Sequence, residues 1–393
     1  MKVAYVVPRY GPAVVGGAEQ GVRMLAERLV SDLGWEVEVL TTCAADPRTW
    51  ADELPPGTTV EAGVTVHRFR SEAGRDPGFD RYSRKVMAVP HRATKEEQER
   101  WVELQGPRNR SIVEAVPRSD ADVIAFSPYL FFPTVHGLPL AGDRAILHGA
   151  AHDEPPLRLP TYRRIFTGAR GLVHYTPSER RLVEERFPVA ATPQIVLGLG
   201  IDDPLPGGAA PVSGPYVLYV GRVDNGKGTR VLAEFFAAYK RRHPGPLRLV
   251  IAGRVLDQPP AHPDIDVIGE VDEATKWALY AGATIFVNPS AYESFSIVLM
   301  EAWELGLPAI VNGRSEVLKE HAERSAGGLW FDGYARFEAV LDRLWRDEDL
   351  RARMGEAGRR YVDTHYRWPA LLERYRAFLD GVLRRRRSGG IGQ

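Results

Sequence analysis

The feature that most constrains the fold of this chain is an alternation of short apolar segments with amphipathic segments. Residues 18–33, for example, place apolar side chains such as Leu25 and Leu29 at helical spacing. Consecutive parallel strands need crossover connections, which helices supply. The alternation therefore predicts an α/β fold in which helices cover both faces of a parallel sheet. The predicted strands of the first series are residues 3–7, 37–41, 64–69, 123–127, 145–147, 171–175 and 194–196.

The same alternation starts again after a proline- and glycine-rich break at residues 202–208, which we interpret as a linker. The 393 residues fit two domains of roughly 100–200 residues each. We therefore predict a doubly wound, Rossmann-like domain in each half, with ligands at the carboxyl ends of the strands. The predicted strands of the second series are residues 216–220, 248–252, 265–268, 284–288 and 308–311, and its predicted helices are residues 228–242, 274–281, 296–305 and 368–387.

Charge and composition exclude several classes of protein. Basic and acidic residues number 51 each, and a net charge of zero argues against a nucleic-acid partner. The single cysteine, Cys43, rules out an intramolecular disulfide, and no apolar run reaches the ~18–20 residues of a membrane helix. We therefore expect a cytoplasmic protein. The four arginines at residues 384–387 suggest at most peripheral contact with anionic lipid, and a solvated tail is the favoured interpretation.

A glycine-bearing turn separates the first predicted strand from the first predicted helix. Gly16 and Gly17 lie directly before that helix, which begins near Ala18. Glycines let the backbone approach a ligand, and the N–H groups at a helix N-terminus attract negative charge, so this turn suits a diphosphate. A plain strand-to-helix turn explains the same residues, and both interpretations stay open at this point.

The loop after residues 216–220 carries two cations, Arg222 and Lys227, among glycines. Arginine offers a bidentate fork and lysine a point charge, so the two together suit a diphosphate. A solvated loop is the alternative. An unpaired lysine close to a helix N-terminus is electrostatically unfavourable without an anion, so we favour the anion-binding interpretation.

Two glutamates flank the start of the helix predicted at residues 296–305. Glu293 precedes the helix and Glu301 lies inside it, with seven residues between them. The backbone N–H groups of Phe295, Ser296 and Ile297 at the helix start can bind a phosphate. Glu301 lies among apolar residues, so its carboxylate needs a hydroxyl or a cation as partner, and a ribose diol would serve. In the alternative interpretation, which we disfavour, Glu293 only caps the helix and Glu301 is a surface residue.

Two histidines and two acids follow the strand predicted at residues 145–147. The sequence from His148 to His152 is followed by Asp153 and Glu154, which invites a metal-binding interpretation. The spacing of the two histidines fits a metal ion only if both lie on a helix, and the preceding strand argues against a helix here. We favour a histidine that hydrogen-bonds a substrate.

These motifs together resemble the retaining nucleotide-sugar glycosyltransferases of family four, which have the GT-B fold. The resemblance covers essentially the whole chain, and four further segments resemble a bacterial branch associated with polysaccharide or secondary-metabolite glycosylation. It implies two Rossmann-like domains facing across a cleft, with residues 1–200 on the acceptor side and 205–365 on the donor side. Residues 366–393 would form a helix that crosses back to the first domain. The four segments are residues 40–44, 105–107, 129–134 and 152–154.

The resemblance also implies a donor site. Arg222 and Lys227 would bind the donor diphosphate, Glu301 would hold the ribose, and backbone around residues 269–271 would contact the base. Gly16 and Gly17 would close on the diphosphate from the first half. The donor-binding residues implied in this way are Gly16, Gly17, Arg222, Lys227, Val271, Glu293, Ser294, Phe295, Ser296, Ile297 and Glu301.

Four residues are implied to be catalytic. Glu293 would contact hydroxyls of the transferred sugar, and His152 would hydrogen-bond the same sugar, with His148 as the alternative for that role. The implied catalytic residues are His152, Glu293, Lys227 and Arg222.

The chain departs from the family pattern at Ser296. Many relatives have glycine at this position, and the serine hydroxyl adds bulk beside the phosphate.

The implied reaction moves a hexosyl group from a nucleoside-diphosphate sugar to a hydroxyl of a glycan, a lipid-linked glycan or a secondary metabolite. The anomeric configuration would be retained, and the donor would be UDP- or GDP-linked. Relatives need no divalent metal, so we expect no metal site and no resident cofactor. The alternatives are a nucleotide-sugar epimerase on the same fold and a non-catalytic protein that binds sugar nucleotides.

Overall fold

The computed structural model describes residues 1–12, 14, 16–205 and 210–389, and side chains as far as residue 386. The chain divides into two compact units, Met1–Leu199 with Pro369–Gln393 and Gly200–Trp368. Residues 206–208 of the predicted linker and residues 390–393 of the predicted C-terminal segment lie outside the described residues.

The first unit is built on a sheet that contains eight strands within the described residues. The spatial order is β3-β4-β2-β1-β5-β6-β7-β8, and every neighbouring pair is parallel except the antiparallel pair β3 and β4. The strands are β1 Lys2–Val6, β2 Glu36–Thr42, β3 Gly57–Glu61, β4 Val64–Phe69, β5 Val123–Phe126, β6 Ala145–His148, β7 Gly171–His174 and β8 Gln194–Val196. The central strands are buried on both faces, as a parallel sheet between helix layers requires.

Three of the described helices of the first unit begin at residues whose side chains cap the helix. Thr94 and Glu97 form a reciprocal capping box at one helix, and Thr176 caps another by accepting the N–H of Glu179. The α-helices before residue 200 are α1 Gly17–Ser31, α2 Phe79–Met87, α3 Lys95–Gln105, α4 Arg110–Ala115, α5 Phe132–Ala141, α6 Pro160–Gly168 and α7 Pro177–Arg186. Residues 71–116 contain α2, α3 and α4.

The second unit has a parallel sheet of six strands within the described residues, in the order β11-β10-β9-β12-β13-β14. Its strands are β9 Tyr216–Val220, β10 Arg248–Ala252, β11 Ile265–Gly269, β12 Ile285–Asn288, β13 Ala309–Asn312 and β14 Gly328–Phe331. Its α-helices are α8 Thr229–Arg242, α9 Glu273–Gly282, α10 Ile297–Glu304, α11 Glu316–Ser325, α12 Tyr334–Arg346 and α13 Glu348–His365. Two Rossmann-like α/β units, with one largely parallel and one parallel sheet, confirm the predicted fold class.

The last helix, α14 Trp368–Gly389, packs on the sheet of the first unit. The hydroxyl of Tyr375 lies 3.0 Å from His148 Nε2 and 3.1 Å from the hydroxyl of Tyr5. Gly171 makes room for this helix, because a Cβ atom there would lie 2.8 Å from the ring of Phe378. Along the described parts of the chain, no helix combines the length and the apolar character that crossing a membrane requires.

Candidate functional site

The candidate site lies at the carboxyl edge of the second sheet, where the strand order changes direction. β9 has β10 on one side and β12 on the other, so the connections from β9 and β12 leave the sheet at a topological switch point. Ligands of open α/β sheets bind outside the carboxyl ends of strands at such a point. The loop of residues 221–228 follows β9, and the loop of residues 289–296 follows β12.

The 221–228 loop is held in shape by its own polar groups. The side chain of Asp224 accepts the backbone N–H of Lys227 at 2.8 Å, and its carbonyl accepts the hydroxyl of Thr229 at 3.0 Å. Gly228 has φ +77°, and a Cβ atom there would lie 2.7 Å from the carbonyl oxygen of Pro289. Glycine is therefore required at this position, because it lets the two loops approach each other.

The two loops meet through a direct ion pair. Lys227 Nζ donates to Glu293 Oε1 at 2.6 Å, and both side chains are mostly buried. Arg222 Nε lies 3.6 Å from Asp224 Oδ2. The structure corrects the premise that Lys227 is unpaired, since both cations have an acidic partner. The local charge is nearly balanced, so an incoming anion has to compete with these carboxylates.

The 289–296 loop is closed by the side chain of Asn288. Its Nδ2 group donates to Ser296 Oγ at 2.9 Å, and its Oδ1 atom accepts the N–H of Ser290 at 3.0 Å. Ser296 adopts φ +75°, in the left-handed region that favours glycine, and it directly precedes α10. The first N–H groups of a helix have no partner inside that helix, so Ser294, Phe295 and Ser296 lead into a helix end that attracts anions.

The carboxylate of Glu301 is buried in α10, with 5% of the residue exposed. Lys276 Nζ donates to its Oε1 atom at 2.8 Å, and the hydroxyl of Tyr280 donates to its Oε2 atom at 3.0 Å. Burial alone lowers the pKa of Lys276, but the carboxylates of Glu301 and Glu273 outweigh burial and raise it. The sequence predicts that this carboxylate needs a cation or a hydroxyl, and the structure supplies one of each from α9.

The segment implied to contact the base follows β11 on the same edge of the sheet. Gly269 accepts the N–H of Gly253 at 2.7 Å through its carbonyl oxygen, which joins the ends of β10 and β11. Val271 is partly exposed and precedes Asp272, which caps α9 by accepting the N–H of Thr275 at 2.8 Å.

In the first unit, Gly16 and Gly17 stand at the N-terminus of α1. A Cβ atom on Gly16 would lie 2.4 Å from Glu19 Oε2, whereas one on Gly17 would meet no described atom within 4 Å. The buried guanidinium of Arg9 binds Glu19, with Nε at 3.0 Å from Oε1, and donates to the carbonyl of Ala45 at 2.7 Å. A side chain at Gly16 would therefore displace the ends of Glu19 and Arg9, whereas Gly17 has open space around it.

The two candidate histidines differ sharply in their surroundings. His148 ends β6, is 1% exposed and lies against Tyr375. Burial, with a smaller effect of nearby His174, lowers the pKa of His148 to about 3, so it is a neutral core residue. The side chain of His152 is 29% exposed and lies 3.4 Å from Glu154 Oε2.

Two glutamates, Glu154 and Glu179, contact the loop around His152. Burial alone lowers the pKa of His152, but the Glu154 carboxylate outweighs it and raises the pKa. Glu154 in turn accepts the hydroxyl of Tyr129 at 2.7 Å. Glu179, which the sequence analysis missed, is fully buried and accepts the N–H groups of Ala151 at 2.9 Å and Tyr175 at 2.7 Å. Burial raises the pKa of Glu179 to about 7.

The structure separates the two histidines of the metal-binding alternative. Across residues 1–12, 14, 16–205 and 210–389, no group of three or more His, Cys, Asp or Glu side chains is placed to hold a metal ion. His148 points into the core of the first unit, so the two histidines do not face a common site.

Two doubly wound α/β units in one chain define the GT-B architecture, and solved glycosyltransferases share it. Sucrose-phosphate synthase from Thermosynechococcus elongatus has a TM-score of 0.68 at 18% identity, over 97% of this chain and 99% of that one. Anabaena HepE in complex with UDP-glucose has a TM-score of 0.66 at 12% identity, over 97% of this chain and 100% of that one. The fold is therefore GT-B, as the resemblance implies.

Two family models match consecutive parts of the chain. The Glycosyl transferase 4-like domain matches residues 16–200, and Glycosyl transferases group 1 matches residues 207–361. D-inositol 3-phosphate glycosyltransferase from Frankia alni is 27% identical over 401 residues, covering 89% of this chain and 91% of that protein. Glycogen synthase from Mycobacterium tuberculosis is 30% identical over 179 residues, covering 40% of this chain and 41% of that protein. The chain belongs to the GT4-type glycosyltransferases, and the prediction of glycosyl transfer is confirmed.

Proposed function

We propose that this glycosyltransferase moves a hexosyl group from a nucleoside-diphosphate sugar to a hydroxyl acceptor with retention of anomeric configuration. The observation that carries the proposal is the contact of Lys227 with Glu293 at the switch point of the second sheet. In this proposal Lys227 is the cation for the diphosphate and Glu293 is the carboxylate for the sugar, and their direct contact supports this pairing of roles.

Donor binding is proposed to rearrange this ion pair. A diphosphate carries more negative charge than one carboxylate, so it competes effectively for Lys227 and Arg222. Glu293, once released from Lys227, is free to accept hydrogen bonds from hydroxyls of the sugar. The N-terminus of α10 contributes further positive potential for the phosphates.

The proposed chemistry depends on stabilising the departing diphosphate. Its negative charge grows as the glycosidic bond breaks, and fixed cations and backbone dipoles lower the energy of that charge. We propose that Arg222 and Lys227 do this without a divalent metal. Retention through a covalent intermediate needs a carboxylate nucleophile at the anomeric carbon. The family resemblance instead favours front-side transfer assisted by the donor phosphate.

The remaining donor contacts are proposed from the same edge of the sheet. Glu301 is proposed to hold the ribose, and backbone around Val271 to contact the base. The complexes of HepE with UDP-glucose and of a trehalose-6-phosphate enzyme from E. coli with UDP-2-fluoro glucose support a UDP-linked donor, with a GDP-linked donor as the second choice. The acceptor is proposed to be a glycan, a lipid-linked glycan or a small molecule.

The first unit is proposed to contribute His152 to binding of the transferred sugar and the α1 N-terminus at Gly16 and Gly17 to binding of the diphosphate. Exposure supports His152 over the buried His148. A protein with one free, buried cysteine that uses a nucleotide sugar fits the cytoplasm, which we propose as its location.

A thermal-shift screen of the full chain against UDP-, GDP-, ADP- and dTDP-sugars tests the proposal first. A ligand at 100 times its Kd raises stability by about 2.7 kcal/mol, which gives a clear shift in Tm. The stabilising donor is then incubated with candidate acceptors, and NMR determines the anomeric configuration of the product. Inversion would contradict the retaining mechanism, and conversion of the donor to an epimer without acceptor would identify an epimerase.

A further inference from the structure

The carboxylate of Glu301 is engaged on both oxygens by side chains of a single neighbouring helix. Lys276 donates to one oxygen and Tyr280 to the other, at 2.8 Å and 3.0 Å. Both donors come from α9, four residues apart, so they lie on one face of that helix.

Burial makes these contacts important for Glu301, which is 5% exposed. A carboxylate in an apolar environment loses its hydration, and a nearby cation compensates for that loss. Lys276 supplies that cation, and its side chain is itself mostly buried. The second acidic partner of Lys276 is Glu273 at 2.8 Å, which is well exposed and therefore interacts more weakly. Lys276 thus serves chiefly the buried carboxylate.

The two contacts also fix the direction of the carboxylate. An ionised carboxylate has about four acceptor positions, and here one on each oxygen is occupied from the α9 side. The hydroxyl of Tyr280 also lies 3.2 Å from the carbonyl oxygen of Val298, so its one proton is shared between two acceptors on α10. The positions that remain are held in one orientation and can each accept a hydroxyl.

We infer that Lys276 and Tyr280 are positioning residues that hold Glu301 oriented to accept both hydroxyls of a donor ribose. The inference rests on the proposed function, in which Glu301 binds the ribose of a nucleoside diphosphate. It adds a substrate class: donors with ribose bind tightly, and donors with 2′-deoxyribose bind poorly. A site built to hydrogen-bond a hydroxyl discriminates against an analogue that lacks it, because a buried polar group then loses its partner.

A purely structural role would have a different signature. If Lys276 and Tyr280 only join α9 to α10, their loss lowers stability and affects the binding of every nucleotide alike. If they act through Glu301 on the ribose, their loss weakens ribonucleotide binding and leaves deoxyribonucleotide binding nearly unchanged. The ratio of the two affinities separates the two roles.

The experiment measures this ratio by isothermal titration calorimetry on the full chain, with UDP against 2′-deoxy-UDP and GDP against 2′-deoxy-GDP. The wild type is expected to bind the matching ribonucleotide about tenfold more tightly, the effect of one hydrogen bond to a charged group. Tyr280→Phe and Lys276→Met are each expected to reduce the ratio to about threefold or less. Their affinity for the deoxy nucleotide should change less than twofold.

Two matched variants control for general damage. Tyr216→Phe removes another buried hydroxyl, which donates to the carbonyl of Leu279 at 2.6 Å and does not touch Glu301. Glu273→Gln removes the exposed partner of Lys276. Both should keep the wild-type ratio, and Tm measurements verify that each variant is folded. Tyr280→Phe removes a single oxygen and keeps the test decisive if Lys276→Met does not fold.

The outcomes distinguish the inference from the proposed function. Ribonucleotide binding with an unchanged ratio in both variants, or equal weakening of both nucleotides, overturns the positioning role. A wild type that binds ribo and deoxy nucleotides equally well overturns the assigned substrate class. A folded wild type that binds none of UDP, GDP, ADP and dTDP contradicts the proposed function itself.

Discussion

Lys227 Nζ lies 2.6 Å from Glu293 Oε1, although the two residues are 66 positions apart and belong to different loops. The pair joins the loops that follow β9 and β12, which are neighbours in the sheet. It therefore marks the point where the cation proposed for the diphosphate and the carboxylate proposed for the sugar meet.

Lys227→Ala and Glu293→Ala are each expected to lower kcat/KM for glycosyl transfer by about 10²–10³, the effect of removing one preorganised electrostatic contact. Because the residues share one ion pair, the double variant should lose less than the product of the two single effects. Arg230→Ala, which removes an exposed pair with Glu234 on α8, is the control and should retain activity. Near-normal turnover of either single variant would show that the site is assigned wrongly.

Ser296 is expected to be strained, because a non-glycine residue at φ +75° carries a steric cost. Ser296→Gly relieves that cost but loses the hydrogen bond from Asn288, so its stability should stay within about 1 kcal/mol of the wild type. Ser296→Ala keeps the strain and loses the hydrogen bond, so its free energy of unfolding should fall by about 1–2 kcal/mol. Urea unfolding measures both variants, and an alanine variant at least as stable as the glycine variant would refute the account.

His148 is expected to make the protein sensitive to acid. Burial lowers the folded-state pKa of His148 to about 3, whereas a histidine in the unfolded chain has a pKa of about 6.5. Between these two values the unfolded chain binds a proton that the folded chain does not. Stability from this group is therefore fully present above about pH 6.5 and falls as the pH decreases towards 3.

His148→Gln tests this dependence, because glutamine keeps a polar group near Tyr375 but does not titrate. Urea unfolding between pH 7 and pH 4 should show a shallower loss of stability for this variant than for the wild type. His91→Gln, at an exposed position, is the control and should leave the slope unchanged. Equal slopes for His148→Gln and the wild type would contradict the assignment.

The sequence was sufficient for most of the sheet, because central parallel strands are continuous apolar runs. It did not indicate β3, whose residues Gly57–Glu61 are largely exposed and pair only at the edge with β4. An exposed edge strand has no apolar pattern to detect. The sequence also did not indicate β14, Gly328–Phe331, which is a short edge strand of the six-stranded sheet.

Long-range partners set the limit for the candidate site. The sequence indicates that the carboxylate of Glu301 needs a partner, but Lys276 and Tyr280 lie 25 and 21 positions upstream on another helix. His148 and His152 cannot be ranked from spacing, because His148 is buried against Tyr375, which lies 227 positions downstream. The local sequence indicates that a buried polar group needs a partner, and tertiary packing determines which residue is that partner.

Gly228 lies where the loop after β9 approaches the loop after β12. Its φ of +77° strains any other residue, and a Cβ atom there would lie 2.7 Å from the carbonyl oxygen of Pro289. Gly228→Ala should therefore cost at least about 1–2 kcal/mol for the backbone conformation alone. Because the clash pushes apart the two loops that carry Lys227 and Glu293, kcat/KM should also fall by about tenfold or more.

Gly245→Ala is the matched control for Gly228→Ala. This glycine lies in the same unit, has no positive φ, and a Cβ atom there would meet no atom of the described residues within 4 Å. Urea unfolding and donor kinetics on both variants separate a general glycine effect from one specific to the loop contact. If Gly228→Ala matched Gly245→Ala in both measurements, close approach of the two loops would not be required. The site would then depend on the side chains alone.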